Sequence, residues 1–525
     1  MVLYSDSRVL DPSGGFVLRP LQPRRVARTA AVALAATVAF SLAPAPPVQG
    51  SVQSPQTRGR QTRSWQLAPG LVLKRVQYSD GPVEVRALIV NPRKVSASKD
   101  PSRALTIEPA LASLAFPGWE KMSRIGYREG AIAAVNGDFS VSGRPIHPTA
   151  ADADLQTAGL RSGVGFGVSM NEKRAFARRP QAKVTARIRK LERTWSIAHW
   201  NSGEPRTRQI AGYTQVGGSR EQAPNDACAA RLLPVEGRVW SDAQKTGISR
   251  LYKVDAQPEP CPFDPIATGS DPGAVVLAAD RGGARAEQIK KLDRHDRVRI
   301  TWSLGWNGVG DAIGGMPQLL EAGEVVAPSS CDSYFCGRNP RTGAGVNREC
   351  VTGDPGCRLY ILTVDGRQSG WSVGMRLDEF AREFKKLGAT WAVNFDGGGS
   401  TSMWVRQRKP AYCERRANHG CLVSRPSDAA GERSVENALL VLPGVDSNAP
   451  AVKGTRTSSR LASRPTRLVP GEEDPDTEQL ILADPASTGG LLDAIAVGAF
   501  GRANLGPELS SALGAYRTAI AGPKD

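Results

Sequence analysis

Histidine is scarce in this chain of 525 residues, with four in all, at positions 147, 199, 295 and 419. Their scatter provides no histidine-based metal motif. A Ser-His-Asp arrangement stays open, because such triads assemble from distant segments. Cysteine is also little used: Cys228, Cys261, Cys331, Cys336, Cys350, Cys357, Cys413 and Cys421 include no Cys-x-x-Cys pair. That spacing speaks against a zinc site or a redox motif. The apolar run from Thr29 to Ala43 is short for a membrane span. No zinc-finger spacing, basic zipper or aromatic RNA-binding signature accompanies the formal charge of +17, so nucleic acid is not indicated as a partner. The charge points instead to polyanionic surroundings, such as phosphate-bearing glycans, acidic envelope polymers or anionic membrane surfaces. A basic, merely solvated surface explains it equally well.

What is present begins with an export pattern. Arg24, Arg25 and Arg28 precede the apolar run, and small residues with prolines follow it. That order is the one of a secretory signal, so residues 1–50 read as an export segment with no stable membrane span after its removal. An even number of cysteines in an exported chain favours disulfides, and Cys413 with Cys421 is a plausible short-range pair. Residues 51–64 read as a polar linker, 65–445 as the main domain, 446–475 as a second linker and 476–525 as a helical tail. Within the main domain, residues 199–300 alternate short strands with turns and read as a β-rich insertion.

The most informative stretch runs from 359 to 404. Leu359 to Val364 is a short apolar, β-rich run, followed by Asp365-Gly366-Arg367. Leu377, Phe380, Ala381, Phe384 and Leu387 then recur at helical spacing, with Gly388 at the expected stop. A second apolar run, Trp391 to Phe395, leads into Asp396-Gly397-Gly398-Gly399-Ser400. Strand, helix, strand predicts a crossover unit with parallel strands. The fold expected is therefore α/β, mixed α+β, with a central sheet whose βαβ unit carries the two aspartate motifs. Asp365 and Asp396 should emerge at one sheet edge, where open α/β sheets bind ligands. Three glycines allow close backbone approach and an anion-binding concavity, and Arg367 adds a bidentate donor.

Other pieces join this site as candidates. A helix over 118–128 leads to the strand Ala131 to Val135 and to Asn136-Gly137-Asp138-Phe139, a second strand end that delivers Asn136 and Asp138. Gly314-Gly315 forms a turn, and Arg341 beside Thr342 offers a phosphate ligand. Gly431-Glu432-Arg433 precedes a closing strand from Val435 to Leu442 that contains Asn437.

Taken in order, Asn136-Gly137, Gly314-Gly315, Arg341-Thr342, Asp365-Gly366-Arg367, Asn394-Phe395-Asp396-Gly397-Gly398-Gly399-Ser400, Gly431-Glu432-Arg433 and Asn437 resemble the phosphodiester glycosidase family. The resemblance covers roughly 65 to 445 and is strongest from 310 to 442. It implies an α/β catalytic domain that cleaves the bond between an anomeric carbon and a phosphodiester, and an exported protein acting on envelope or exopolysaccharide material. The family usually shows Asn-Gly-Gly-Phe where this chain has Asn136-Gly137-Asp138-Phe139, and often Asn at the position of Ser424.

The chemistry expected from the residues agrees. Asp396 would activate water or stabilise charge at the anomeric carbon, and Asp365 would be the second carboxylate or orient Arg367. Arg341, Thr342, Arg367, Ser400 and the Gly397 to Gly399 amides would hold phosphate, with Asn136, Asp138, Asn394, Arg433 and Asn437 lining the pocket. The substrate expected is a phosphorylated glycan or sugar-1-phosphodiester, and no cofactor is implied. Two rivals use the same residues: a non-catalytic module binding phosphorylated glycans, and a phosphodiesterase with a divalent cation on Asp365 and Asp396.

Overall fold

A computed structural model of the chain describes residues 59–443, apart from 80, 92–104, 162, 170–173, 218–226, 242–246, 257–272, 307–308, 330–333, 348–349 and 352–356. The export segment, the second linker and the helical tail lie outside the described residues. Among the described residues, no helix is long and apolar enough to cross a membrane. The first strand, Arg60–Ala68, begins inside the stretch read as linker up to residue 64.

The architecture is built mostly of sheet, not the open α/β layout that the central motif suggested. An eight-stranded sheet runs in the order Arg60–Ala68, Leu71–Tyr78, Val83–Val90, Leu359–Val364, Arg341–Val346, Trp391–Asn394, Gln318–Glu321 and Glu324–Val325. Every neighbouring pair in it is antiparallel. The strand, helix and strand read from residues 359 to 394 are present, but the two strands do not pair with each other. Arg341–Val346 lies between them, antiparallel to both. Both flanking strands therefore run in the same direction, and Asp365 and Asp396 follow strand ends at the same edge.

Leu359–Val364 shows why its sequence reads as an unbroken apolar run. Leu359 and Ile361 point into one core, whereas Tyr360, Leu362 and Val364 point into another, so both faces are covered. The first core lies between this sheet and a six-stranded one, ordered Arg415–Ala417, Gly420–Leu422, Met403–Val405, Ala133–Asn136, Asn437–Pro443 and Leu105–Leu111. Val135, Met403, Leu439 and Val441 of that second sheet meet Leu88, Ile361 and Val393 of the first. The second core lies under the helix Leu377–Leu387, whose Leu377, Phe380, Ala381 and Phe384 are fully buried. Glu379 accepts a hydrogen bond from the Arg376 N–H at the start of this helix, and Gly388 ends it in the left-handed conformation at φ 96°. The helix Met122–Arg128 covers the outer face of the second sheet through Met122 and Ile125, packed with Trp404 and Leu440.

The insertion is β-rich, as its turn spacing indicated, and starts earlier than residue 199. Lys183–Ile188 and Arg193–Ile197 join Arg297–Ser303, Gly247–Ala256, Ala227–Ser241, Val275–Asp280, Ile210–Thr214 and His199–Trp200 in a separate eight-stranded sheet. It has its own core, which includes Trp195, Ile248, Val275 and Ile300. The pairing of Cys413 with Cys421 is present as a disulfide, and Cys228, Cys336 and Cys357 are disulfide-bonded as well.

Phe384 has no exposed surface, and its ring lies 5.1 Å from that of Phe380. Phe384→Ala is expected to cost about 3–5 kcal/mol of stability through lost burial and the cavity left behind, read from the denaturant midpoint at unchanged slope.

Candidate active site

Asp396 is held by its main chain before its side chain does anything. Its N–H donates to Gly137 O (2.9 Å), and its carbonyl accepts from Asn136 Nδ2 (2.8 Å). Asn136 Oδ1 accepts in turn from Thr342 Oγ1 (2.7 Å) and from the Ser402 N–H (3.1 Å). Asn136 and Thr342 are wholly buried. Their place is therefore beneath the site, joining the two sheets, and not in contact with a phosphate. Asn394 acts similarly: its Nδ2 donates to Met316 O and Phe395 O, each at 2.7 Å. Asn437 is also fully buried, and its Oδ1 accepts from the Asp138 N–H at 2.8 Å.

The Asp396 carboxylate accepts from the Gly397 N–H (2.9 Å) and hydrogen-bonds Ser400. Burial pushes its pKa up to about 6, and the Asp138 charge adds to the rise. Ser400, Arg433 and the Gly397 amide act in the opposite direction. A second carboxylate stands close to it, and it is Glu436, which sequence reasoning missed. Burial pushes Glu436 up to about 7, helped by the charges of Asp396 and Asp138 and opposed by its hydrogen bond from Ser140. Glu436 stands between buried Val435 and Asn437, just before the closing strand Asn437–Pro443. Its position beside Asn437 is the only sequence signal that marks it.

Asp365, the expected second carboxylate, is placed elsewhere. It is 1% exposed, with Trp371 Nε1 donating to Oδ2 (2.9 Å) and the Arg425 N–H donating to Oδ1 (3.0 Å). Burial raises its pKa to about 6, and the charges acting on it are those of Arg86 and Glu84. Those acting on Asp396 are Arg433 and Asp138. The two aspartates share a strand edge, but their carboxylates face different neighbours. Asp365 closes the turn beneath Arg367 with an N–H donor on each oxygen, an arrangement unlike the catalytic role and the cation site expected of it. Among the described residues, no group of three or more His, Cys, Asp or Glu side chains is arranged to hold a metal ion.

The arginines separate in the same way. Arg341 is 2% exposed; its Nε donates to Met375 O (3.0 Å), and its Nη2 donates to Phe335 O and Gly337 O (2.7 Å each). It anchors the loop at 334–337 and is not poised for phosphate. Arg367 is exposed, donates to Asn339 Oδ1 (3.1 Å) and lies 5.1 Å over the Tyr334 ring. Its guanidinium covers Gly398, where a Cβ would come within 2.8 Å of Nη2. Arg433 pairs with Asp428 at 2.6 Å, and both side chains sit where a Cβ on Gly399 would be. The bare glycines thus admit two guanidinium groups next to Asp396. Their amides are partly used internally: Gly397 N–H bonds Asp396, and Gly398 N–H donates to Pro340 O (3.0 Å). The expected anion-binding concavity of three successive amides is therefore reduced, and the arginines are the better anion ligands.

The raised pKa of Asp396 has a consequence for stability. A carboxyl whose folded value exceeds its unfolded value contributes stability at low pH and loses it as pH rises through about 6. Asp396→Asn is therefore expected to be more stable than wild type at pH 8, on the order of 2–3 kcal/mol. The difference should vanish near pH 4, as followed by melting temperature against pH.

The comparisons with known proteins bear on this site. A structure of a hypothetical protein from Synechocystis is 19% identical, with TM-score 0.49, matching 73% of this chain and 63% of that one. This chain thus spans less than two thirds of that protein's length. An exported-protein candidate from Burkholderia pseudomallei is 19% identical, with TM-score 0.48, 74% of this chain and 97% of that one being covered. The catalytic domain of zebrafish N-acetylglucosamine-1-phosphodiester α-N-acetylglucosaminidase, auto-inhibited by its pro-peptide, is 14% identical, with TM-score 0.35 and coverage of 73% and 88%. No curated protein sequence matches the chain. The model of the family described as phosphodiester glycosidase matches residues 267–442, a span that includes Asp396, Arg433 and Glu436. The resemblance carried by the sequence motifs is thereby borne out: over residues 267–442 this chain is similar to the phosphodiester glycosidases.

Proposed function

We propose that the chain is an exported hydrolase that cleaves a sugar-1-phosphodiester, of the N-acetylglucosamine-1-phosphodiester kind, at the bond from the anomeric carbon to oxygen. The observation that carries this reading is the pair of neighbouring carboxyls, Asp396 and Glu436, held near neutrality at about 6 and about 7 beside two guanidinium groups. Paired carboxyls with separated proton affinities are what glycoside hydrolysis uses for its acid and its base.

Asp396, the more acidic of the two, takes the proton from a water that attacks the anomeric carbon. The bond from that carbon to the phosphate oxygen breaks, and the electron pair leaves with the phosphate as a monoester. Glu436 supplies a proton to the departing oxygen, a minor requirement because phosphate leaves far more easily than a sugar alkoxide. Arg433 and Arg367 receive the charge that develops on the phosphate. The export pattern and the basic charge support a substrate in envelope or exopolysaccharide material.

In a screen of sugar-1-phosphodiesters, Asp396→Asn is expected to lower kcat by about 10²–10⁴-fold. Glu436→Gln should lose less on phosphates with good leaving groups. Activity should rise through about pH 6 as Asp396 ionises and fall through about pH 7 as Glu436 loses its proton. Reaction in ¹⁸O-water should place the label in the sugar. Label in the phosphate, or near-normal turnover by folded Asp396→Asn, would overturn the reading.

A further inference from the structure

Behind the two carboxyls lies a buried ion-capable pair that the proposed reaction does not use. Asp138 sits in the turn that follows the strand Ala133–Asn136, with its own N–H donating to Asn437 Oδ1 (2.8 Å). Its carboxylate accepts three hydrogen bonds: from the Phe139 N–H (2.8 Å), the His147 N–H (2.8 Å) and the His147 ring at Nδ1 (2.7 Å). Two of the donors are main-chain groups and the third is a ring packed on all sides, so the carboxylate has one orientation. Asp138 is 3% exposed and His147 is 1% exposed.

The surrounding backbone is shaped for that ring. A Cβ on Gly163 would overlap the edge of the imidazole at Cδ2 and Nε2. A Cβ on Gly314 would overlap His147 Cβ and lie 3.1 Å from Asp138 Oδ2. Gly314 in the strand Val309–Gly315, and Gly163 just before its antiparallel partner Val164–Ser169, therefore leave room where the dyad passes. Burying a carboxylate and an imidazole is costly, and an apolar pair would fill the same space without that cost.

The position of the dyad suggests what offsets it. Gly137, just before Asp138, accepts from the Asp396 N–H (2.9 Å), and Ser140, two residues after it, donates to Glu436, so Asp138 sits between the contacts to both carboxyls and its negative charge acts on each. The remaining groups facing those two are the Ser400 hydroxyl, the Gly397 amide and Arg433 around Asp396, and the Ser140 hydroxyl on Glu436. Arg433 is itself paired with Asp428, so its charge is partly committed. Asp138 is the one negative group near both carboxyls that already has a dedicated hydrogen-bond frame.

We propose that Asp138 and His147 form a positioning dyad for the site: His147 locks the Asp138 carboxylate in place, and the locked charge governs how Asp396 and Glu436 share a proton. The proposal rests on the reading of Asp396 and Glu436 as the acid–base pair. Both members are buried, so the dyad acts through the two carboxyls. A fixed like charge nearby makes each of the two carboxyls hold its proton more tightly.

The test uses the full chain and reads the carboxyls without turnover. Protein labelled with ¹³C at the Asp and Glu carboxyls is titrated by NMR, with Asp396→Asn and Glu436→Gln assigning the two signals. Asp138→Asn, which keeps the shape and removes the charge, is expected to move both midpoints to lower pH. The pH–rate profile should shift with them if the catalytic reading holds. His147→Ala is expected to lower kcat about tenfold at unchanged KM and to move the midpoints in the same direction. His147→Asn, which keeps an N–H near the Nδ1 position, should restore most of both. Unmoved midpoints in folded Asp138→Asn would overturn the dyad. So would Ala and Asn variants of His147 that are equally impaired with wild-type midpoints, an outcome that stands even if Asp138→Asn does not fold. Midpoints that shift in a protein with no hydrolytic activity would keep the dyad and sink the catalytic reading instead.

Discussion

Asn136 is the joint on which the site depends. It ends a strand of the second sheet, yet its amide holds the carbonyl of Asp396, which follows a strand of the first. The same side chain receives Thr342 Oγ1 and the Ser402 N–H, and the Asp396 N–H returns a bond to the neighbouring Gly137. Asn136, Thr342 and Ser402 are buried, so these partners are shielded from water, and leaving one unpaired would cost about 1–3 kcal/mol. An asparagine is required because one side chain must donate and accept at once. The two sheets meet in a defined register for this reason, and the acid of one sheet is brought against the acids of the other.

That meeting creates the electrostatic problem on which the proposed chemistry rests. Asp138 and Glu436 come from the turn after Ala133–Asn136 and from the segment just before Asn437–Pro443, while Asp396 comes from the first sheet. Buried together, three carboxyls cannot all ionise as they would in water. Two of them are pushed towards neutrality, and the third is surrounded by fixed donors. Asp365 makes the useful contrast. It is more deeply buried, yet the Trp371 and Arg425 N–H groups occupy both its oxygens, and the charges acting on it are those of Arg86 and Glu84. Burial alone therefore does not make a site. What differs at Asp396 is an approach by arginines over bare glycines and the company of other acids.

Much of the fold's local order was legible in the chain. The apolar run of Leu359–Val364, the helical spacing of Leu377–Leu387, its glycine stop and the run of Trp391–Asn394 all follow from side-chain periodicity, which is a local property. The Asp-Gly-Gly-Gly-Ser motif also marked a turn whose bare backbone lets Arg367 and Arg433 come close. Strand pairing was not legible. The insertion of Arg341–Val346 between the two strands of the expected crossover joins segments distant in sequence, and no local pattern encodes it.

The sequence by itself determined which residues could be strands, where the helix would stop, and that Asp396 sits at a glycine-built turn, because propensity, periodicity and the missing Cβ act over a few neighbours. The tertiary structure alone decided which acids meet. It put Arg341 and Asp365 to use as buried anchors, brought Glu436 beside Asp396, and set His147 against Asp138. Those assignments turn on desolvation and on distances of a few ångströms between charges, quantities that exist only once the two sheets have closed on each other.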